Sequence, residues 1–200
     1  MMKKKISIVL VFLFLISTNS LSIEPDIFVQ STVNRASKLL SEDISKDEKI
    51  EKLKLIAKET VDIRGIGFYT LGAKRKSLNS DEKNQYSKLF EEYFLKSFSS
   101  RLAEYTNPEI DVTSKDKLNE NYTIVNSILI ATDERPEINI DWRIYTKDPD
   151  NPLIRDLIIE GLSLARTQKE EFASVLSSND ENIEASVSYT HLTLPTILRV

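Results

Sequence analysis

Two hundred residues, 40% of them hydrophobic and only four of them glycine, describe a globular chain long enough to bury a core, so one domain is expected. With 27 basic against 31 acidic residues the formal charge is −4, which argues against a broad nucleic-acid surface. Cysteine is absent and the single histidine is His191, close to the end. Disulfides, thiolate metal sites, cysteine nucleophiles and a Ser-His-acid triad in the folded body are therefore excluded.

The chain opens MMKKKISIVLVFLFLISTNSLS, in which three lysines precede the apolar run Ile6 to Ile16 and small residues stand at Ser20 and Ser22. A run of this length is too short for a stable anchor across about 30 Å of hydrocarbon. Residues 1–22 read as a secretory signal peptide, with the mature chain beginning near Ile23. No cysteine follows to carry a lipid, so the mature protein is expected to be soluble in the exported space. Removing the three leader lysines from the 27 basic residues leaves a balance of about −7 against the 31 acidic ones, which opposes permanent residence on anionic membranes.

From Pro25, the residues Ile27, Phe28, Val33, Ala36, Leu39 and Leu40 recur at helical spacing. Ser45 and Glu48 fit a capping box ahead of a second helix carrying Ile50, Leu53, Ile56 and Val61. Gly65 and Gly67 then argue against one long helix, so a short one is expected over Gly67 to Leu71, capped by Gly72. The two glycines lower the cost of backbone rearrangement here; a tight helix–helix turn is the alternative use for them. Asn79 to Tyr105 is the longest helical pattern, with Ser80 read as its N-cap. Tyr86, Leu89, Phe90, Tyr93 and Phe94 form one stripe, whereas Leu95, Phe98, Leu102 and Tyr105 form a second, rotated by roughly 120°. The two ends of this helix therefore face different partners. Its aromatics either fill a core or wall an apolar cavity.

After Asn107-Pro108 the period changes to two. Glu109 to Thr113 is a short β-rich stretch, Tyr122 to Ile130 is a strand with both faces partly apolar, and Ile138 to Tyr145 alternates cleanly. A turn at Lys147 to Pro152 leads to a strand over Leu153 to Ile159; Gly161 ends it, and Ser163 opens a last helix. Helices followed by hairpin-linked strands give an α+β fold, with helices packed on one face of an antiparallel sheet. Asp156 and Glu160 are the only carboxylates placed for acid–base work, and a structural ion pair with neighbouring Arg155 is the better reading of them.

The block DLIIEGLSLARTQKEEFASVL, Asp156 to Leu176, resembles the D-v-x-x-E-G-v-S-l signature of the MlaC (toluene-tolerance) family of periplasmic phospholipid-binding proteins. Asp156, Glu160, Gly161, Ser163 and Phe172 stand in the matching places. Upstream, FYTLGAKRKSLNSDEKNQYSKLFEEYFLKSF is similar to a second family block through Leu71, Gly72, Phe90 and Phe94. The similarity runs from about Ile27 to Ala185. It departs at Pro152-Leu153, where many members carry Gly-Trp.

The resemblance implies a curved sheet and helices enclosing a lipid cavity. It also implies a periplasmic carrier, without cofactor or covalent chemistry, that shuttles phospholipid between an outer-membrane lipoprotein–porin complex and an inner-membrane ABC transporter to maintain outer-membrane asymmetry. From the long-helix stripe, the strand faces and the family pattern, the cavity lining is expected to include Phe68, Leu71, Tyr93, Phe94, Ile128, Trp142, Ile144 and Ile158. Two other readings stay open. One is an exported interaction module with a filled core; the weaker is a hydrolase acting through Asp156 and Glu160. The lipid-binding domain is placed at residues 23–185. Residues 186–200, with Pro195 and an abrupt shift in composition, are expected to be a non-native tail with no part in the fold; a genuine edge strand over Tyr189 to Leu198 is the alternative.

Overall fold

The structure is a computed structural model and describes residues 22–178 apart from residue 134. The expected leader, except Ser22, and the expected tail lie outside the described residues. Five helices and five strands follow in the order α1 (Pro25–Leu40), α2 (Lys46–Thr60), α3 (Ile63–Thr70), α4 (Ser80–Leu102), β1 (Ile110–Asn119), β2 (Tyr122–Leu129), β3 (Ile138–Tyr145), β4 (Leu153–Ile159), β5 (Leu162–Ser163) and α5 (Leu164–Ser178). A 3-10 turn over Gly72–Lys76 lies between α3 and α4. The strands form one antiparallel meander in chain order, so the fold is α+β. Among the described residues no helix is long and apolar enough to cross a membrane.

Local chemistry accounts for the helix boundaries. Pro25 sits in the first turn of α1, where its missing N–H costs nothing. Ser45 and Glu48 form the capping box expected of α2. For α4 the cap is Asn79 rather than Ser80: Asn79 Oδ1 accepts from the amides of Asp81 at 2.8 Å and Glu82 at 3.0 Å. Glu82 Oε2 in turn accepts from the Asn79 amide at 2.8 Å. Counted from Ser80, the third helical residue would be Lys83, which cannot accept from the cap amide.

The third helix begins four residues earlier than expected and contains both glycines. Asp62 caps it, its carboxylate accepting from the Gly65 amide at 2.7 Å. Each glycine makes room for a neighbour. A Cβ on Gly65 would fall 2.7 Å from Arg155 Cζ, and one on Gly67 would fall 2.8 Å from Phe90 Cδ1. Gly67 is thus a point of close approach between α3 and α4. Gly72, at φ +54°, turns the chain out of α3 as expected of a C-terminal glycine.

The sheet differs from expectation in three respects. β1 extends to Asn119, well past Thr113. Its second half is charged and solvated, which suits an edge strand but masks the period-two signal. The upper part of that edge is covered by α1. Gln30 Nε2 donates to Ile110 O at 3.1 Å and Gln30 Oε1 accepts from the Val112 amide at 3.0 Å, so one side-chain amide stands in for a neighbouring strand. Secondly, Leu162 and Ser163 form β5 before α5 begins. Glu160 and Gly161, at φ +47° and +80°, make the two-residue turn between β4 and β5.

Thirdly, a bulge in the β3–β4 pairing, where Ile144 faces Ile154 and Arg143 faces Asp156, leaves Arg155 as the extra residue. It shifts the alternation of everything that follows in β4. Other irregularities interrupt β1, between Val112 and Ser114 and between Lys117 and Asn119.

One face of the sheet, including Val125 and Leu129 of β2 with Ile138, Ile140, Trp142 and Ile144 of β3, joins a single core with residues of all five helices. Within it Tyr86, Phe90 and Tyr93 of α4 surround Phe172 of α5, with ring centroids 5.7–6.3 Å from it. The α2–α3 junction is tied to β4 by a parallel bridge between Val61 and Ile154 and by the Asp62 amide donating to Ile154 O at 3.0 Å.

Candidate functional site

The helix α4 meets two surroundings, divided differently from its two sequence stripes: Leu95 of the second stripe is buried in the core, and Phe94 of the first reaches a cavity. Tyr86, Phe90 and Tyr93 enter the packed aromatic core. One step around the helix, Phe94, Ser97, Phe98, Arg101 and Leu102 face a cavity of about 220 Å³. Its other walls include α1 through Val33, Ala36 and Leu40, α2 through Leu53, Ile56 and Ala57, the sheet through Leu129, Ile140, Trp142, Leu157 and Ile159, and the start of α5 through Leu164 and Ala165. Phe94 and Phe98 stack at 5.2 Å and form one continuous aromatic surface.

Three hydroxyls in these walls are bonded to the backbone of their own helices. Thr32 Oγ1 donates to Phe28 O, Thr60 Oγ1 to Ile56 O and Ser97 Oγ to Tyr93 O, each at 2.8 Å. A hydroxyl satisfied by its own helix leaves mainly its carbon surface to a guest. Trp142 behaves similarly: its Nε1–H donates to Ser127 Oγ at 2.8 Å, and Ser127 donates onward to Ile140 O at 2.9 Å. The indole is thereby fixed with its hydrocarbon exposed to the cavity. An interior built this way suits an apolar molecule and offers few contacts to a polar one.

The ionisable groups nearby are tied into the framework. Asp156 is buried; it accepts from Ser163 Oγ at 2.6 Å and from the Ala165 amide at 2.9 Å, with Arg143 Nη1 at 3.5 Å. This carboxylate ties the start of α5 to β4. Its cationic neighbour is Arg143 and not the adjacent Arg155, which the bulge turns toward Asp62. Glu160 accepts from the Asn139 backbone amide and side-chain amide and so braces the β4–β5 turn. Asp156, Glu160, Gly161 and Ser163, the positions that carry the sequence signature, thus build a strand-to-helix junction.

Burial pushes the Tyr93 phenol up to about 12, and Tyr86 is driven upward by the same cause. Both stay neutral: Tyr86 shares a hydrogen bond with Thr70 at 2.6 Å, and Tyr93 accepts from Gln168 Nε2 at 3.0 Å. Among the described residues no cluster of His, Cys, Asp and Glu could hold a metal ion.

Of the eight residues expected to line a cavity, Phe94 and Trp142 do so. Leu71, Tyr93 and Ile144 are buried in the core instead, and Phe68 packs against that core, half-buried under the Arg64 guanidinium at 5.3 Å. Ile128 and Ile158 lie on the opposite sheet face. The inward residues of β2 are Thr123, Val125, Ser127 and Leu129, two of them polar, so hydrophobicity alone selected the wrong parity. In β4, strict alternation from buried Ile154 would bring Ile158 inward. The bulge at Arg155 hands that face to Leu157 and Ile159, which pair with Trp142 and Ile140.

The contribution of α1 and α2 went unselected in the sequence. Their spacing was visible, yet a stripe facing a cavity has the same period as one facing a core.

Comparison with known proteins adds a second line of observation. The family model described as MlaC protein matches residues 30–189. The solved structure of the phospholipid-binding protein from Ralstonia solanacearum, in complex with a phospholipid, superposes with a TM-score of 0.69 at 17% identity. The match covers 84% of this chain and 95% of that one. No curated protein matches the chain.

Proposed function

The chain belongs to the MlaC family, and from that premise we propose that it is a phospholipid-binding carrier and not an enzyme. The observation that carries this reading is the largely apolar cavity between α1, α2, α4 and the sheet, in which the Thr32, Thr60 and Ser97 hydroxyls are satisfied by their own helices. Acyl chains entering it would leave water at a gain of roughly 0.8 kcal/mol per buried CH₂, so retention needs little polar recognition. The phospholipid held by the Ralstonia solanacearum protein of the same fold supports this choice of cargo. The finer role is part of the proposal: an exported, periplasmic shuttle passing lipid between an outer-membrane lipoprotein–porin complex and an inner-membrane ABC transporter.

A cavity-filling substitution tests the site directly. Ala36 lines the cavity from α1, and Ala36→Phe places a ring in the space a chain would occupy. A folded A36F protein, extracted and assayed for lipid phosphorus, should carry less than half the wild-type cargo. Equal cargo in the folded variant would remove the cavity from consideration.

A further inference from the structure

Two guanidinium groups stand in the largely apolar wall, and they differ in how they are held. Arg155 is committed to the framework. It donates to Asp62 through Nε, lies 4.6 Å over the Tyr145 ring, and has Nη1 3.4 Å from Tyr122 Oη. Arg101, in the last turn of α4, donates from Nη1 to Glu104 Oε2 at 2.8 Å, a contact using one of its five N–H donors. The side chain of Arg101 is only 15% exposed, while that of Glu104 is 49% exposed.

A mostly buried cation is therefore balanced by a carboxylate that keeps much of its water, an arrangement in which the ion pair contributes little. The end of a helix favours a cation, but an arginine pointing to solvent would satisfy that equally well. It does not account for a guanidinium set into the wall beside Phe98, Leu102 and Tyr105.

We propose that Arg101 is the phosphate anchor of the bound lipid. It holds a phosphate oxygen pair while the acyl chains occupy the apolar space, and the hydrated Glu104 is the internal competitor that gives way. The planar fork of arginine matches phosphate in a bidentate manner, and a largely desolvated setting strengthens the contact. The proposal rests on the carrier reading and deepens it, naming the ligand class as phosphate-bearing diacyl lipid over its neutral counterpart.

The test loads wild type, R101Q, R101K and E104Q from mixed micelles of phosphatidylglycerol and diacylglycerol with matched chains, and reads the bound ratio by native mass spectrometry. A charge-assisted contact predicts roughly tenfold preference for phosphatidylglycerol in wild type. R101Q should fall to near parity with its diacylglycerol loading intact, R101K should recover part of the preference, and E104Q should raise it. An arginine that merely secures the helix end would instead give R101Q the wild-type ratio, which overturns the proposal. Equal loading of both lipids by wild type also overturns it while leaving the carrier reading standing; failure to load either lipid removes both. Inorganic phosphate separates the two sources of this chemistry. It should not displace phosphatidylglycerol at millimolar concentration, and Arg101-dependent tight binding of phosphate alone would reassign the site to the free anion.

Discussion

Gly67→Ala is the substitution whose outcome the packing determines most closely. The added Cβ would lie 2.8 Å from Phe90 Cδ1, closer than real Cβ contacts come, and 3.0 Å from Cγ. Phe90 cannot swing aside cheaply: it is 1% exposed and has the rings of Phe172, Tyr86, Tyr93 and Phe94 at 5.7, 5.9, 6.0 and 6.2 Å. Overpacking of this kind costs about 1–3 kcal/mol. Alanine returns about 1 kcal/mol through its better helix propensity, since Gly67 is inside α3. The net expectation is a loss of about 0–2 kcal/mol, read from the urea midpoint at unchanged m.

A double-mutant cycle with Phe90→Leu isolates the cause. With the ring gone, alanine at position 67 should become neutral or stabilising, giving a coupling of about 1 kcal/mol or more. If G67A is as stable as wild type and the cycle shows no coupling, close approach is not why glycine stands there. A role in backbone rearrangement would then be the reading to pursue.

Asp156→Ala should lower stability by about 3 kcal/mol, because the Ser163 hydroxyl and the Ala165 amide both lose their charged acceptor in a buried place; chemical denaturation reads it. A loss of hydrolytic turnover without that destabilisation would instead favour a chemical role for Asp156. Glu171→Gln carries a pH signature. Burial holds the Glu171 carboxyl above its ordinary value of 4.5, so the folded state binds this proton more tightly than the unfolded state does. The wild type therefore loses stability relative to E171Q as pH rises from 4.5 through the raised folded value. The variant should be the more stable at pH 7, and the gap should narrow below pH 4.5; a gap that widens on acidification would contradict this sign.

Much of the scaffold was legible because local chemistry and tertiary structure agree in it. The Ser45–Glu48 capping box, Gly72 at positive φ and the clean alternation of β3 each announce a conformation that the neighbouring packing then uses. The rotation between the two stripes of α4 announced two different surroundings, but not which was core and which cavity, since Phe94 of the first stripe lines the cavity and Leu95 of the second is buried in the core.

What stayed hidden depends on pairing between distant segments. Ser127 faces the core because Trp142 and Ile140, in the next strand, satisfy its hydroxyl, and nothing local in β2 announces that. The parity of Ile158 turns on one extra residue opposite the Arg143–Ile144 step. Gly65 and Gly67 weaken a helix on propensity alone, yet they stand within one because Arg155 and Phe90 require the space. The share of the cavity wall given by α1 and α2 was unreadable for a different reason: periodicity reports burial, not whether the buried face meets atoms or a void.

The central claim is that the cavity walled by Phe94, Phe98 and Trp142 holds phospholipid, and native mass spectrometry of the protein, purified without detergent, tests it most directly. A carrier arrives with an added mass in the phospholipid range that collisional activation releases, and Phe94→Asp, if folded, arrives without it. A wild-type protein that flies only at the mass of its own polypeptide, and that stays at that mass after incubation with phospholipid vesicles, would contradict the claim.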